Sequence, residues 1–150
     1  MIKIIAGGKQ HTGWVAEACA DYEKRLRKPF DIEWQIVDVE KLAKIIDEWD
    51  FGPDAVVIVL DERGKNISSP ELADKLGKVF VSSCEAVIII GGSGGVSDLA
   101  IERADFVWSF SNLVFPHMLA RVMAVEQIYR AQEIANGSQY HKAELQHRNQ

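Results

Sequence analysis

The chain has 150 residues, with 17 Lys or Arg against 22 Asp or Glu, so its formal net charge at pH 7 is −5. An acidic chain of this kind lacks the broad basic surface that supports nonspecific wrapping of nucleic acid, although a narrow basic patch remains compatible with it. The length suits one domain around a single core, and we expect one domain over residues 1–150.

Cysteine usage and the first residues indicate a compartment. Cys19 and Cys84 are too few for a disulfide framework and lack the spacing of metal ligands, which favours buried thiols in a reducing environment. The opening MIKIIAGGK holds no apolar segment long enough for a signal peptide, and the longest apolar runs have the length of strands. We therefore expect a soluble cytoplasmic protein with no membrane partner and no metal.

The first half of the chain predicts strands that alternate with helices. Thr12 is an N-cap residue ahead of apolar residues at helical spacing, and Pro29 ends that helix. The predicted elements are a strand at Met1–Ala6, a helix from Thr12 to about Arg27, a strand at Ile32–Val39, a helix at Lys41–Trp49 and, after a turn at Gly52-Pro53, an apolar strand at Ala55–Leu60.

The second half continues the alternation. Ser69 and Pro70 predict a helix start, with Ser at the cap and Pro in the first turn. The elements are a helix from Ser69 to about Val81, a strand at Ala86–Ile90, a helix capped by Ser97, a strand at Phe106–Phe110 and a helix at His117–Ala135.

Apolar strands that alternate with helices indicate an α/β fold, with a mostly parallel sheet covered by helices on both faces. In such sheets ligands bind beyond the carboxyl ends of the strands. Three of these ends are Leu60-Asp61, Ile90-Gly91 and Phe110-Ser111. We expect the loops that follow them to converge on one site, where the glycines at 91–95 let backbone groups approach a ligand closely.

One hydrolase motif and one dinucleotide-binding motif fit the glycine run poorly. Gly91-Gly92-Ser93-Gly94-Gly95 matches the nucleophile elbow G-x-S-x-G, with Asp105 and then His117 or His141 in hydrolase order, but no oxyanion-hole motif lies upstream. The dinucleotide fingerprint fails because Ser97 stands where its third glycine belongs. A small serine hydrolase that uses Ser93 is kept as an alternative.

A resemblance covers nearly the whole chain, and five motifs in order carry it. They are LDERGK with Ser68-Ser69 and Glu71-Leu72-Ala73, then IGGSGG, then Ser109-Phe110-Ser111 with Phe115-Pro116-His117, then Arg121-Val122 with EQIYRA at Glu126–Ala131, and finally Tyr140-His141-Lys142. In these the chain resembles the bacterial ribosomal large-subunit pseudouridine N3-methyltransferases, the RlmH or YbeA family of the SPOUT superfamily. The resemblance implies a homodimer with a C-terminal trefoil knot. It also implies a methyltransferase that uses S-adenosyl-L-methionine on 23S rRNA in assembled ribosomes.

The resemblance also assigns residues. The cofactor contacts that it implies fall on Leu60, Gly91 and the run Phe110, Ser111, Asn112, Leu113, Val114 and Phe115. The candidates for catalysis and substrate handling are Arg121, Arg130, Tyr140, His141 and Lys142, with His117 beside them. A noncatalytic cofactor-binding or ribosome-binding module is the other alternative that we keep.

The last helix and the tail carry three further expectations. Glu126 and Arg130 form an i,i+4 pair that suits a surface pair, a dimer contact or a substrate clamp. The apolar stripe Met118, Val122, Val125 and Tyr129 suits either the core or a dimer seam. Asn136-Gly137-Ser138 predicts a helix stop and a flexible link, so Tyr140-His141-Lys142 would close over substrate from a mobile tail, with Arg148 adding positive potential.

Overall fold

The structure, a computed structural model, describes residues 1–82 and 84–146. Eleven elements alternate along this part of the chain. The strands are β1 (Ile2–Gly7), β2 (Ile32–Val37), β3 (Ala55–Asn66), β4 (Glu85–Ile90) and β5 (Phe106–Ser109). The helices are α1 (Gly13–Glu23), α2 (Val39–Glu48), α3 (Ser69–Val81), α4 (Asp98–Arg103), α5 (His117–Ala135) and α6 (Gln139–Gln146).

The five strands form one sheet in the order β2-β1-β4-β3-β5, and every pairing is parallel. Alternate residues of a strand point to opposite faces, and both faces are buried. Ile58 and Leu60 of β3 pack with α3 and α5, whereas Val57 and Val59 pack with α2 and α4. The predicted α/β fold with helices on both faces of a parallel sheet is confirmed.

The third strand is longer than the apolar run predicts. Leu60 pairs with Trp108, and the register then shifts so that Lys65 pairs with the same residue. Residues 61–64 therefore leave the ladder before β3 resumes beside β5. The apolar run itself still ends at Leu60, where the register shift begins.

Other boundaries shift by local hydrogen bonding. The first helix ends at Glu23 rather than near Arg27, because Arg25 and Leu26 donate their backbone N–H groups three residues back. The second strand ends at Val37, since the Asp38 carboxylate accepts from Lys41 N at 2.7 Å and caps α2. The cap of α3 is Ser68 rather than Ser69, because Ser68 and Glu71 form a reciprocal capping box.

The residues after α5 form a further helix. The predicted stop holds, because Asn136 ends α5 and Gly137 has a φ of +70°. The chain then restarts as α6, and Tyr140 packs against the main core. The motif at Tyr140-His141-Lys142 is thus helical, and its predicted mobility stays a prediction, while Arg148 lies outside the described residues.

Candidate functional site

A cavity of about 650 Å³ opens at the carboxyl ends of the central strands. Residues 60–63 follow the apolar part of β3, residues 90–96 follow β4, and residues 110–111 and 113–117 follow β5. Its volume lies in the range of small-molecule sites, about 300–1,000 Å³. The predicted convergence of the three loops on one site is confirmed.

The structure brings together most of the residues that the resemblance assigns to the cofactor. Leu113 and Val114 are 68% and 76% exposed, so the cavity offers apolar side chains that a bound ring could cover. Asn112 instead accepts a long hydrogen bond of 3.4 Å from Asn66 Nδ2. The assigned residues that line the cavity are Leu60, Gly91, Phe110, Ser111, Leu113, Val114 and Phe115.

Two serines shape the loop after β5. The Ser109 hydroxyl donates to the carbonyl of Ser111 at 2.7 Å and accepts from its N–H at 3.2 Å. The Ser111 hydroxyl in turn accepts from Leu113 N at 3.1 Å. Because each hydroxyl bonds backbone two residues away, the loop is held in a compact turn beside the cavity.

The glycine loop after β4 folds back on itself. Gly95 donates its N–H to the Gly92 carbonyl at 2.9 Å and has a φ of +76°, which favours glycine. A Cβ on Gly91 would lie 2.4 Å from the carbonyl carbon and oxygen of Gly95. Glycine is therefore needed at position 91 because the loop packs against its own backbone there, whether or not a ligand approaches.

Arg63 ties the β3 end of the cavity to the glycine loop. Its guanidinium donates to Asp61 Oδ1 at 2.8 Å, to Asp98 Oδ1 at 2.7 Å and to the Val96 carbonyl at 3.1 Å. These hydrogen bonds raise the pKa of Arg63 above its ordinary value, so it is charged at any working pH. No role for this arginine was predicted from the sequence, although Asp61-x-Arg63 directly after an apolar strand indicates a charged pair at the edge of the sheet.

The hydrolase alternative is contradicted. Asp105 lies before β5, at the amino edge of the sheet, where its carboxylate accepts from Val57 N at 2.8 Å. Ser93 lies in the loop after β4, at the carboxyl edge, and is exposed. A serine and an aspartate at opposite edges of a sheet cannot share one histidine, so the G-x-S-x-G match has no catalytic meaning here.

Arg121 is completely buried and organises the loop after β1. Its guanidinium donates to the Lys9 carbonyl at 2.8 Å and to the Gly7 carbonyl at 3.1 Å, and it lies 3.4 Å from His11 Nδ1. Its Nε has no partner among the described residues. Burial lowers the pKa of Arg121. This candidate for substrate handling therefore holds backbone in place and presents no free edge to solvent.

The other candidates form a cluster on α5 and α6. Arg130 donates to Glu126 Oε1 at 2.7 and 2.9 Å, and its guanidinium lies 4.8 Å from the Tyr140 ring. The Tyr140 hydroxyl donates to the same Glu126 oxygen at 3.2 Å, and burial holds the pKa of Tyr140 above its ordinary value. His141 Nδ1 lies 3.1 Å from Arg130, while Lys142 is exposed. The cluster is separate from the lining of the cavity.

The apolar stripe of α5 divides between core and surface. Val125 and Tyr129 are buried inside this chain, at 0% and 6% exposed, so they cannot also face a second copy. Met118 and Val122 are only partly buried beside them. The core alternative is therefore confirmed for Val125 and Tyr129, which leaves only Met118 and Val122 for a dimer seam.

The described residues show neither a metal-binding group nor a membrane-spanning helix. Residues 1–82 and 84–146 contain no group of three His, Cys, Asp or Glu side chains that could hold a metal ion. Within the same residues, no helix combines the length and apolar character needed to cross a bilayer. Both cysteines are free, and burial raises the pKa of the Cys19 thiol to about 11.

Comparisons with a family model and with known proteins agree on one family. The model of the family described as "Predicted SPOUT methyltransferase" matches residues 1–141. A protein of Desulfitobacterium hafniense (strain DSM 10664 / DCB-2), named ribosomal RNA large subunit methyltransferase H, is 37% identical over 94% of this chain and 98% of its own length. A protein of Caldicellulosiruptor bescii with the same name is 38% identical over 95% of this chain and 100% of its own.

A solved structure agrees on the fold. The structure of a probable methylase family protein from Haemophilus influenzae Rd KW20 superposes with a TM-score of 0.58 at 13% identity, over 93% of this chain and 69% of that one. At this identity the likeness concerns the fold alone. The family model and the relatives, which match along almost the whole chain, carry the assignment, and the chain belongs to the SPOUT methyltransferase family.

Proposed function

We propose that this chain transfers a methyl group from S-adenosyl-L-methionine to N3 of a pseudouridine in 23S rRNA of the assembled ribosome. The observation that carries the proposal is the cavity that three strand-end loops build in a chain of this family. The names of its relatives support an rRNA substrate of the large subunit. We also propose a single cytoplasmic domain over residues 1–150 with the trefoil knot of its superfamily.

The residues of the cavity fit the cofactor. Leu60 and the apolar side chains at 113–115 would flank the adenine, while backbone groups of the loops at 91–95 and 110–115 would bind its polar edge. Because the Ser109 and Ser111 hydroxyls already hold their loop, the site needs little rearrangement to accept a ligand. When bound, the cofactor supplies a methyl group on a positively charged sulfur, which is a good leaving group.

The protein's own part in this chemistry is to place the base and to accept a proton. We propose that Arg130, His141 and Lys142 bind the RNA, with Tyr140 as their anchor. Lys142 is exposed and can bind a phosphate group. The Arg130 guanidinium lies against the Tyr140 ring, so Tyr140 serves as an anchor and not as a stacking surface for a base. Arg121 acts by holding the loop after β1 rather than by touching RNA.

We propose that the active form is a homodimer. The cavity and the cluster on α5 and α6 are separate within one chain, and the apolar side chains at its rim, Leu113 and Val114, are exposed. Partly buried Met118 and Val122 extend the apolar surface along α5. A second copy gives these side chains a partner and adds RNA-binding surface to an acidic protein.

Mass mapping of 23S rRNA tests the function. Ribosomes from a strain that lacks the gene should lack one methyl group on a pseudouridine, and restoring the gene, or adding the purified protein with S-adenosyl-L-methionine, should return it. Unmethylated ribosomes after both treatments would refute the function. Binding of cofactor and ribosome without turnover would favour the noncatalytic module.

Gly91→Val tests the location of the cofactor site. We expect it to weaken S-adenosyl-L-methionine binding at least tenfold, about 1.4 kcal/mol, because the new side chain would strike the Gly95 carbonyl and reshape the loop. Gly77→Ala is the control, since a Cβ there meets nothing within 4 Å and lies in α3, away from the cavity. Calorimetry on both folded variants gives the answer, and unchanged affinity in Gly91→Val would move the site elsewhere.

A further inference from the structure

His117 is the first residue of α5, and its ring borders the cofactor cavity. The ring is half-buried, and its Nε2 lies 3.6 Å from the position that a Cβ on Gly8 would take. Among the side chains that the structure describes, those of residues 1–82 and 84–142, none forms a hydrogen bond with either ring nitrogen of His117. A partly desolvated imidazole with uncommitted nitrogens at the wall of a ligand cavity is suited to proton transfer.

Among the nearby groups that could accept a proton, Glu62 is exposed to solvent and the others are already engaged. Asp61, which also lines the cavity, accepts hydrogen bonds from the Arg63 side chain and backbone. His11 contacts the Arg121 guanidinium, and His141 contacts that of Arg130. Of the three described histidines, His117 is the one that combines a place in the cavity with free ring nitrogens.

We propose, on the basis of the methyl transfer proposed above, that His117 accepts the proton of pseudouridine N3. The N3–H bond breaks as its proton passes to a neutral imidazole nitrogen, and the electron pair left on N3 forms the bond to the methyl carbon. The pair of the carbon–sulfur bond stays on sulfur. The sulfonium thereby becomes a neutral thioether, and the imidazolium carries the positive charge.

The surroundings of His117 keep it ready for this role. Burial, and then the positive charge of Arg121, lower the pKa of His117 below its ordinary value of 6.5, so the ring is neutral at physiological pH. The charged and titratable groups nearby are Arg121 on the same helix, Lys9 and His11 on the loop after β1, and Asp61, Glu62 and Arg63 in the cavity lining. Arg121 is a positioning residue, because it holds the backbone of the loop that borders the ring.

Single-turnover methylation of ribosomes by the full-length protein tests the proposal. His117→Gln keeps a polar side chain without a basic nitrogen, and we expect its rate at saturating cofactor to fall at least about 100-fold. Its affinity for S-adenosyl-L-methionine should stay within threefold by calorimetry. His117→Ala should regain activity when imidazole is added. His11→Asn is the matched control, because an amide oxygen can still accept from Arg121, and we expect a rate near that of the wild type.

Two pH measurements complete the test. The wild-type rate should decline as pH falls through a value below 6.5, since protonated His117 cannot accept a proton, and this decline should be absent in His117→Gln but present in His11→Asn. NMR titration of the labelled His117 ring should give the same midpoint without any turnover.

Three results would overturn the proposal: a His117→Gln rate within threefold of wild type, the same acid decline in that variant, or a ring that titrates above 6.5. Wild-type protein that methylates no ribosome would instead refute the proposed function, whatever the variants do.

Discussion

Replacing Arg121 by methionine is expected to lower the free energy of unfolding by about 3–5 kcal/mol, the cost of leaving buried hydrogen-bonding groups without partners. The guanidinium is 0% exposed and holds the carbonyls of Gly7 and Lys9. Methionine fills much of the same volume but donates no hydrogen bond. Urea unfolding followed by circular dichroism measures the difference.

Arg103 provides the matched control for this prediction. Its guanidinium also donates to two backbone carbonyls, those of Ile46 at 3.0 Å and Asp47 at 2.7 Å, but the residue is exposed. Water can replace both bonds, so Arg103→Met should cost about 1 kcal/mol or less. A similar loss in the two variants would mean that burial of Arg121 is not the cause, and a loss below 1 kcal/mol for Arg121→Met would contradict the prediction.

Ending the chain after Gln139 is expected to reduce methylation of ribosomes roughly 100- to 1,000-fold. The cut removes His141 and Lys142, which we propose to bind RNA, together with Tyr140, which anchors them. Cofactor affinity should stay near normal, since the cavity lies elsewhere. The shorter chain should also be less stable by about 1–2 kcal/mol. The reason is that Tyr140 packs edge-on against Tyr129 at 4.9 Å and bonds Glu126.

The control is a chain that ends after Lys142, which keeps Tyr140, His141 and Lys142 and should retain most of the activity. Both chains are compared by methyl incorporation into ribosomes, by calorimetry and by light scattering, which should show a dimer mass for each. If the shorter chain methylates ribosomes at a normal rate, the assignment of substrate binding to this cluster is wrong.

The features that the sequence predicts well are those with local causes. The apolar runs at Ala55–Leu60 and Ala86–Ile90 predict buried strands because both faces of the sheet are covered, and the loops after them do line one cavity. The cap of α3 was also readable, since Ser68 and Glu71 have the S-x-x-E spacing of a capping box. This spacing places the cap at Ser68, one residue before the predicted Ser69.

The features that the sequence misses depend on distant contacts. The polar end of β3 is a strand only because β5 pairs with it on both sides of the register shift. Arg121 shares a helix face with His117, but its carbonyl partners lie 112 and 114 positions away in the chain. Likewise the helix at Gln139–Gln146 is held by Glu126, Tyr129 and Arg130, which no local pattern around Gly137 could indicate.

The all-parallel sheet also determines how the chain must fold. Each pairing joins strands that are far apart in sequence, as Ile2 with Ile32, Ile2 with Ala86 and Ile58 with Phe106. Closing such long loops costs entropy before any contact repays it, so the rate of folding is limited by topology rather than by local helix formation. Until β1 pairs with β4, these apolar strands lack their partners in the sheet, and a newly made chain is exposed to aggregation for that interval.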